Sequence, residues 1–211
     1  MQRSRPHLAP AALLCALMGF SLASAHEMHD SHAAHRAAAS PTKSGGAITL
    51  RLADTVLKDQ DGRDVRLVSD LVGQRVTVVD FVYTTCTTVC PVLSATLAEL
   101  QRQLGARVGQ DVQLVSITVD PLRDTPSRLK AYAASHQAGS GWHWLTGSKG
   151  DVDGVLKAFG AYSPDPESHP AMVMIGDGAG QTWTRLLGFP SVGELQAQVE
   201  RARAKHAARQ N

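Results

Sequence analysis

RVTVVDFVYTTCTTVCPVLSATLAELQRQL, residues 75–104, places two cysteines between a strand and a helix. Arg75 to Tyr83 is dense in β-branched residues, the composition of a strand buried on both faces. Leu93, Leu97, Leu100 and Leu104 recur at steps of four, three and four, one apolar stripe of a helix. Proline suits a first helical turn, so the spacing predicts a helix from Pro91, with Thr87 to Val89 left as an adjustable loop. Cys86 and Cys90 then stand at the carboxyl end of a strand and the amino end of a helix. Free N–H groups and the helix dipole favour a thiolate there. The strand end also opens the kind of crevice where α/β sheets do their chemistry.

The spacing of the cysteines admits two states. Residues four apart in a regular helix hold their Cβ atoms ~5–6 Å from each other. Two sulfurs on one metal ion stand up to ~4.5 Å apart, and a disulfide needs Cβ atoms at ~3.8 Å. An adjustable loop makes both reachable. A bridge that spans three residues removes little chain entropy, so a purely structural disulfide is the weaker reading.

Outward from this stretch, strands and helices alternate. Ile48 to Leu52 and Val65 to Val68 read as short strands flanking the turn at Asp61-Gly62, and Val112 to Val119 as a second buried strand. Pro126 to Gln137 reads as a helix capped by Thr125, Trp142 to Leu145 as a short strand, and Asp151 to Phe159 as a helix. Ala171 to Ile175 and Thr182 to Leu187 form a hairpin around GDGAG, which links two strands and so is a turn and not a phosphate loop. Ser191 to about His206 closes the chain as a helix. This order is the thioredoxin arrangement: an α/β fold with a central mixed sheet flanked by helices.

The amino terminus reads as an export signal over residues 1–25. Arg3 and Arg5 supply the positive end, Leu8 to Leu22 the apolar stretch, and Ala23-Ser24-Ala25 the cleavage site. Periplasmic export after cleavage is the expectation, with a membrane anchor facing the periplasm as the alternative. Residues 26–46, HEMHDSHAAHRAAASPTKSGG, lack apolar periodicity and read as a flexible linker, leaving a domain at 47–211. After residue 25, basic and acidic residues balance, which gives no electrostatic reason to expect nucleic acid as a partner. Removing the signal leaves Cys86 and Cys90 as the cysteines, in an oxidising compartment.

DFVYTTCTTVCP (80–91) resembles the copper-binding segment of the SCO/SenC family. TVDPLRDTPSRLKAY (118–132) and SHPAMVMIGDGAG (168–180) are similar to two further family segments, in the same order. The resemblance covers about 48 to 200. It implies a metallochaperone that delivers or prepares copper for a cuproprotein, with the copper-bearing subunit of cytochrome c oxidase as client. Other copper chaperones or thiol reductases are further partners it suggests. Carried over by residue, Cys86 and Cys90 match the thiolate ligands, His169 the imidazole ligand, and Asp120 an acid near the metal. Two thiolates and an imidazole suit Cu(I), or Cu(II) with a further donor. A structural zinc site would want a fourth protein ligand.

The chain departs from the family pattern at Thr87 and Thr88, where Pro and often Asp are usual, and at Ser168, where Asp precedes the histidine. Pro170 follows His169 where thioredoxins place a cis-proline beside the cysteines. These departures keep a second reading open, a periplasmic thiol–disulfide oxidoreductase with Cys86 and Cys90 as its redox pair. His26, His29, His32 and His35, with Met28, carry donors that copper favours and read as a capture tail. A copper buffer is a third reading, resting on that tail. His143, between two tryptophans, reads as packing.

Overall fold

The computed structural model describes residues 43–178 and 181–211. The strands are β1 (Lys43–Thr49), β2 (Val56–Lys58), β3 (Asp64–Arg66), β4 (Val76–Val82), β5 (Val112–Thr118), β6 (Trp142–Leu145), β7 (Met172–Gly176) and β8 (Thr182–Leu187). The helices are α1 (Val89–Leu104), α2 (Pro126–Ser135), α3 (Lys149–Phe159) and α4 (Val192–Gln210). Six strands form one sheet in the order β1-β8-β7-β4-β5-β6. β4 runs parallel to β5, β5 parallel to β6, and β4 antiparallel to β7. This is the mixed sheet expected of a thioredoxin-like fold.

Every residue of β4 and of β5 is buried, as their apolar runs require of central strands. On one face Val78, Val82 and Leu114 meet Leu93, Leu97 and Leu100 of α1, Leu129 of α2 and Leu195 of α4. On the other, Val79, Phe81 and Ile117 meet Val152, Leu156 and Phe159 of α3 and Leu57 of β2. Each fully buried leucine of the α1 stripe contributes ~1.5–3 kcal/mol of burial free energy.

One acid interrupts β4. Asp80 is fully buried, its Oδ1 accepting the Ser116 hydroxyl at 2.5 Å, while Ser116 accepts the Trp142 indole N–H at 2.9 Å. Burial pushes its carboxyl up to about 7, against the opposing pull of the Ser116 hydrogen bond.

Several boundaries differ from the sequence reading. α1 begins at Val89, with Thr88 at its N-cap, so Cys90 lies inside the first turn and the adjustable loop is shorter than expected. Pro91 is the third helical residue, where an N–H would have had no intrahelical acceptor. β1 begins at Lys43, inside the stretch read as linker, because it pairs with β8 from Lys43↔Leu187 to Thr49↔Thr182. The first hairpin is β2–β3, not 48–52 with 65–68. Asp59 Oδ1 accepts the N–H groups of Asp61 and Arg63 to make its turn, and Asp54 accepts those of Val68 and Ser69, drawing Leu67–Val72 into a wide helical turn. After β7, Gly178 has φ of 74°, and a Cβ there would lie 2.4 Å from the Arg75 carbonyl oxygen, so glycine is required. Residues 179–180 of that turn lie outside the described residues.

Candidate metal and thiol site

β4 ends at Val82, and the chain turns at once: the Cys86 N–H donates to the Tyr83 carbonyl at 3.1 Å. This folds Cys86 back over the start of α1, where the Cys90 N–H donates to Cys86 Sγ at 3.4 Å and Thr88 Oγ1 lies 3.8 Å from the same sulfur. Both cysteines are unbridged; Cys90 is fully buried and Cys86 is 5% exposed. The α1 amino terminus thus meets one sulfur from two sides.

The two thiols differ in acidity. Burial opposes ionisation of Cys86, but hydrogen bonds from the Cys90 thiol and N–H, the Thr88 N–H and the Tyr83 hydroxyl together bring it down to about 7. Burial pushes the Cys90 thiol up, reinforced by its bond to Cys86 and by the negative charges of Cys86 and Asp80. Near neutral pH the pair therefore shares one proton, held by Cys90, and Cys86 is the more readily ionised sulfur.

His169 reaches this end of the sheet because it directly precedes the strand β7 that pairs with β4. It is 6% exposed, and its ring stands edge-on to Tyr83 with centroids 5.7 Å apart. Nδ1 lies 2.7 Å from the Pro166 carbonyl and Nε2 3.3 Å from the Phe81 carbonyl, both acceptors only, so a neutral ring places its one proton on Nδ1, at the shorter contact. Nε2 is then the bare nitrogen. A backbone carbonyl fixing Nδ1–H is the arrangement that frees Nε2 as a metal ligand.

Cys86 and Cys90 are brought together by the structure, with His169 one aromatic ring away. Among the described residues, no three of His, Cys, Asp and Glu already converge on a point that would hold a metal. Asp120 lies on the turn after β5, 6% exposed, its Oδ2 3.1 Å from Arg123 Nη1. It borders a pocket of about 220 Å³ that also includes Pro164 and Pro166 of the loop leading to His169. Pro170 is half-buried between His169 and β7. His143 is half-buried on β6, consistent with packing. The tail histidines lie outside the described residues.

Two site residues were not singled out from the sequence. Tyr83 touches both Cys86 and His169, and burial together with its bond to Cys86 raises its hydroxyl. Its place three residues before Cys86 was the available signal. Asp124 reaches the cysteine loop from the turn after β5.

A family model described as SCO1/SenC matches residues 51–203. The chain belongs to the SCO1/SenC family. Over 119 residues it is 37% identical to the SCO1 protein homolog of Bacillus subtilis, a match covering 55% of this chain and 60% of that protein. Its fold is similar to that of BsSco, described as having a disulfide switch and as a member of the Sco family of cytochrome c oxidase assembly proteins. There the TM-score is 0.63 with 28% identity, covering 74% of this chain and 95% of that one. It is also similar to Bradyrhizobium japonicum ScoI solved with copper bound, with a TM-score of 0.59 and 26% identity, covering 71% and 98% of the two chains.

Proposed function

We propose that this chain carries copper, one ion held by Cys86, Cys90 and His169, and delivers it to or prepares it for a cuproprotein, with the copper-bearing subunit of cytochrome c oxidase as client. The observation that carries this reading is the pair of unequal buried thiols beside an imidazole whose Nδ1–H is already engaged. Two soft sulfurs and one nitrogen fit Cu(I), and the set lacks the hard oxygens that Mg²⁺, Ca²⁺ and Mn²⁺ prefer. The Cys86 thiolate meets the ion first. Cys90 gives up its proton as its sulfur binds, and His169 Nε2 completes the set. The description of the Bradyrhizobium relative with copper bound supports the reading.

In the proposed setting, residues 1–25 are an export signal and the protein works in the periplasm, after cleavage or on an anchor. His26, His29, His32 and His35 collect metal ahead of the folded site. Balanced charge gives no reason to add nucleic acid as a partner.

The second reading is thiol–disulfide exchange, favoured by the lowered Cys86 thiol and by the disulfide switch described for BsSco. Cys86 thiolate would attack a client disulfide, displacing one client thiolate and forming a mixed disulfide. Cys90 sulfur would then displace the second, leaving two reduced client thiols and a Cys86–Cys90 disulfide.

His169→Ala and Pro170→Ala separate the two. The first should weaken Cu(I) binding strongly and leave turnover on a small disulfide largely intact; the second should disturb client docking and turnover, with copper affected less. Oxidase assembly in cells should follow copper affinity across the pair. Assembly that tracks disulfide turnover and ignores His169 would establish the oxidoreductase instead.

A further inference from the structure

Beyond Val82 the loop that carries Cys86 has left the sheet; the last ladder contact is the Val119 N–H to the Val82 carbonyl at 2.8 Å. The bonds of the Cys86 and Cys90 N–H groups fold the loop on itself and anchor it to nothing else. Among the described residues, and apart from the helix's own backbone bonds at the Thr88 cap, the hydrogen bonds that tie residues 84–88 to the rest of the fold end on one group, the Asp124 carboxylate. Its Oδ1 accepts the Thr84 hydroxyl at 2.6 Å, and the Thr84 N–H lies 3.2 and 3.1 Å from its two oxygens. Its Oδ2 accepts the Thr118 hydroxyl at 2.6 Å. Asp124 is 1% exposed.

The carboxylate is not needed for the local structure around it. α2 is capped by Thr125, whose Oγ1 accepts the Arg128 N–H. The turn before it is closed by backbone, the Arg123 and Asp124 N–H groups both donating to the Asp120 carbonyl. What the side chain adds is a cross-link between the end of β5 and the first residue of the cysteine loop. Its chemistry suits that task, since three donors converge on two oxygens. An amide would turn one oxygen into a donor facing the Thr118 hydroxyl, which already accepts the Asp120 N–H at 2.9 Å.

We propose that Asp124 is a positioning residue for the thiol pair: by fixing Thr84 it sets where Cys86 Sγ stands relative to Cys90. The effect on copper rests on the reading above; the effect on the two sulfurs does not. A group that orients a ligand from behind is worth ~10–100-fold in metal affinity. It also sets the effective concentration of one sulfur for the other.

The test uses the full chain with Asp124→Ala, Asp124→Asn and Thr84→Val, and Thr125→Ala as a control that uncaps α2 without touching the loop. Three quantities are measured: the Cys86–Cys90 disulfide equilibrium against glutathione, Cu(I) affinity under reducing anaerobic conditions, and the thermal midpoint. Asp124→Ala should make the disulfide ~10-fold less stable and Cu(I) binding ~10–100-fold weaker, with Asp124→Asn and Thr84→Val shifting both in the same direction by less. Thr125→Ala should lower the midpoint and leave both equilibria at the wild-type value. If Asp124→Ala fails to fold, the other two loop variants carry the test. Loop variants with a wild-type disulfide equilibrium would overturn the proposal. Wild-type chain that binds no copper, with the disulfide equilibrium still shifted in the variants, would overturn the copper reading and leave the positioning role standing.

Discussion

Asp80→Asn is expected to remove about 4 kcal/mol of pH dependence from the folding free energy between pH 4 and pH 8. In the native chain the Asp80 carboxyl is fully buried and held up to about 7, with Oδ2 lacking a partner. In the unfolded chain it ionises near its ordinary 3.8. Between about pH 4 and about pH 7 the folded state keeps a proton that the unfolded state has released. Stability is therefore full below about pH 4 and falls as pH rises through about 7. Asparagine cannot ionise and removes this slope. Asp54 and Glu99 are held low by hydrogen bonds and change stability in the opposite sense, but they do so equally in both proteins and cancel in the difference. The check is urea unfolding of reduced wild type and Asp80→Asn at several pH values. Their free energies should converge or cross as pH rises, with the variant gaining relative to wild type. Parallel curves would show that Asp80 ionises in the folded protein as it does in water.

Cys86→Ser and Cys90→Ser should each weaken Cu(I) binding by more than ~100-fold, beyond the effect of losing a residue behind a ligand. A serine hydroxyl keeps the size of the thiol but is hard and stays protonated, so either change leaves a single sulfur and an imidazole. The fold should survive both. Cys86 sits at a turn held by its backbone bond to Tyr83, and Cys90 is helical, with the core of α1 supplied by its leucines. Competition against a Cu(I) chelator, read beside thermal melts, checks this. Tight binding retained by either variant would mean that the second sulfur is not a ligand.

Fold and cysteine placement were legible because both depend on periodicity and chain order. The β-branched run at 75–83 could hardly be anything but a central strand, and the α1 leucine stripe fixed which face of the helix is buried. The α1 start was misplaced because proline is tolerated anywhere in the first turn, and it was Thr88 that stood at the cap. The β2–β3 hairpin left little trace, since its burial rests on Leu57 and its turn on the Asp59 side chain, neither of which makes an apolar pattern. The positions of Tyr83 and Asp124 beside the thiols follow from tertiary geometry. Asp124 and Thr84 are far apart in the chain, and only the pairing of β4 with β5 brings their loops together. Asp80 was visible as an acid inside an apolar strand, yet its missing partner and raised carboxyl required the packed core.

The most direct measurement is an anaerobic Cu(I) titration of the reduced protein, residues 43–211 with β1 intact, followed by X-ray absorption of the loaded sample. The account predicts one tightly held copper per chain, with two sulfurs and one nitrogen around it, and loss of the nitrogen in His169→Ala. A site saturating with sulfur alone, or a nitrogen that persists in His169→Ala, would contradict it.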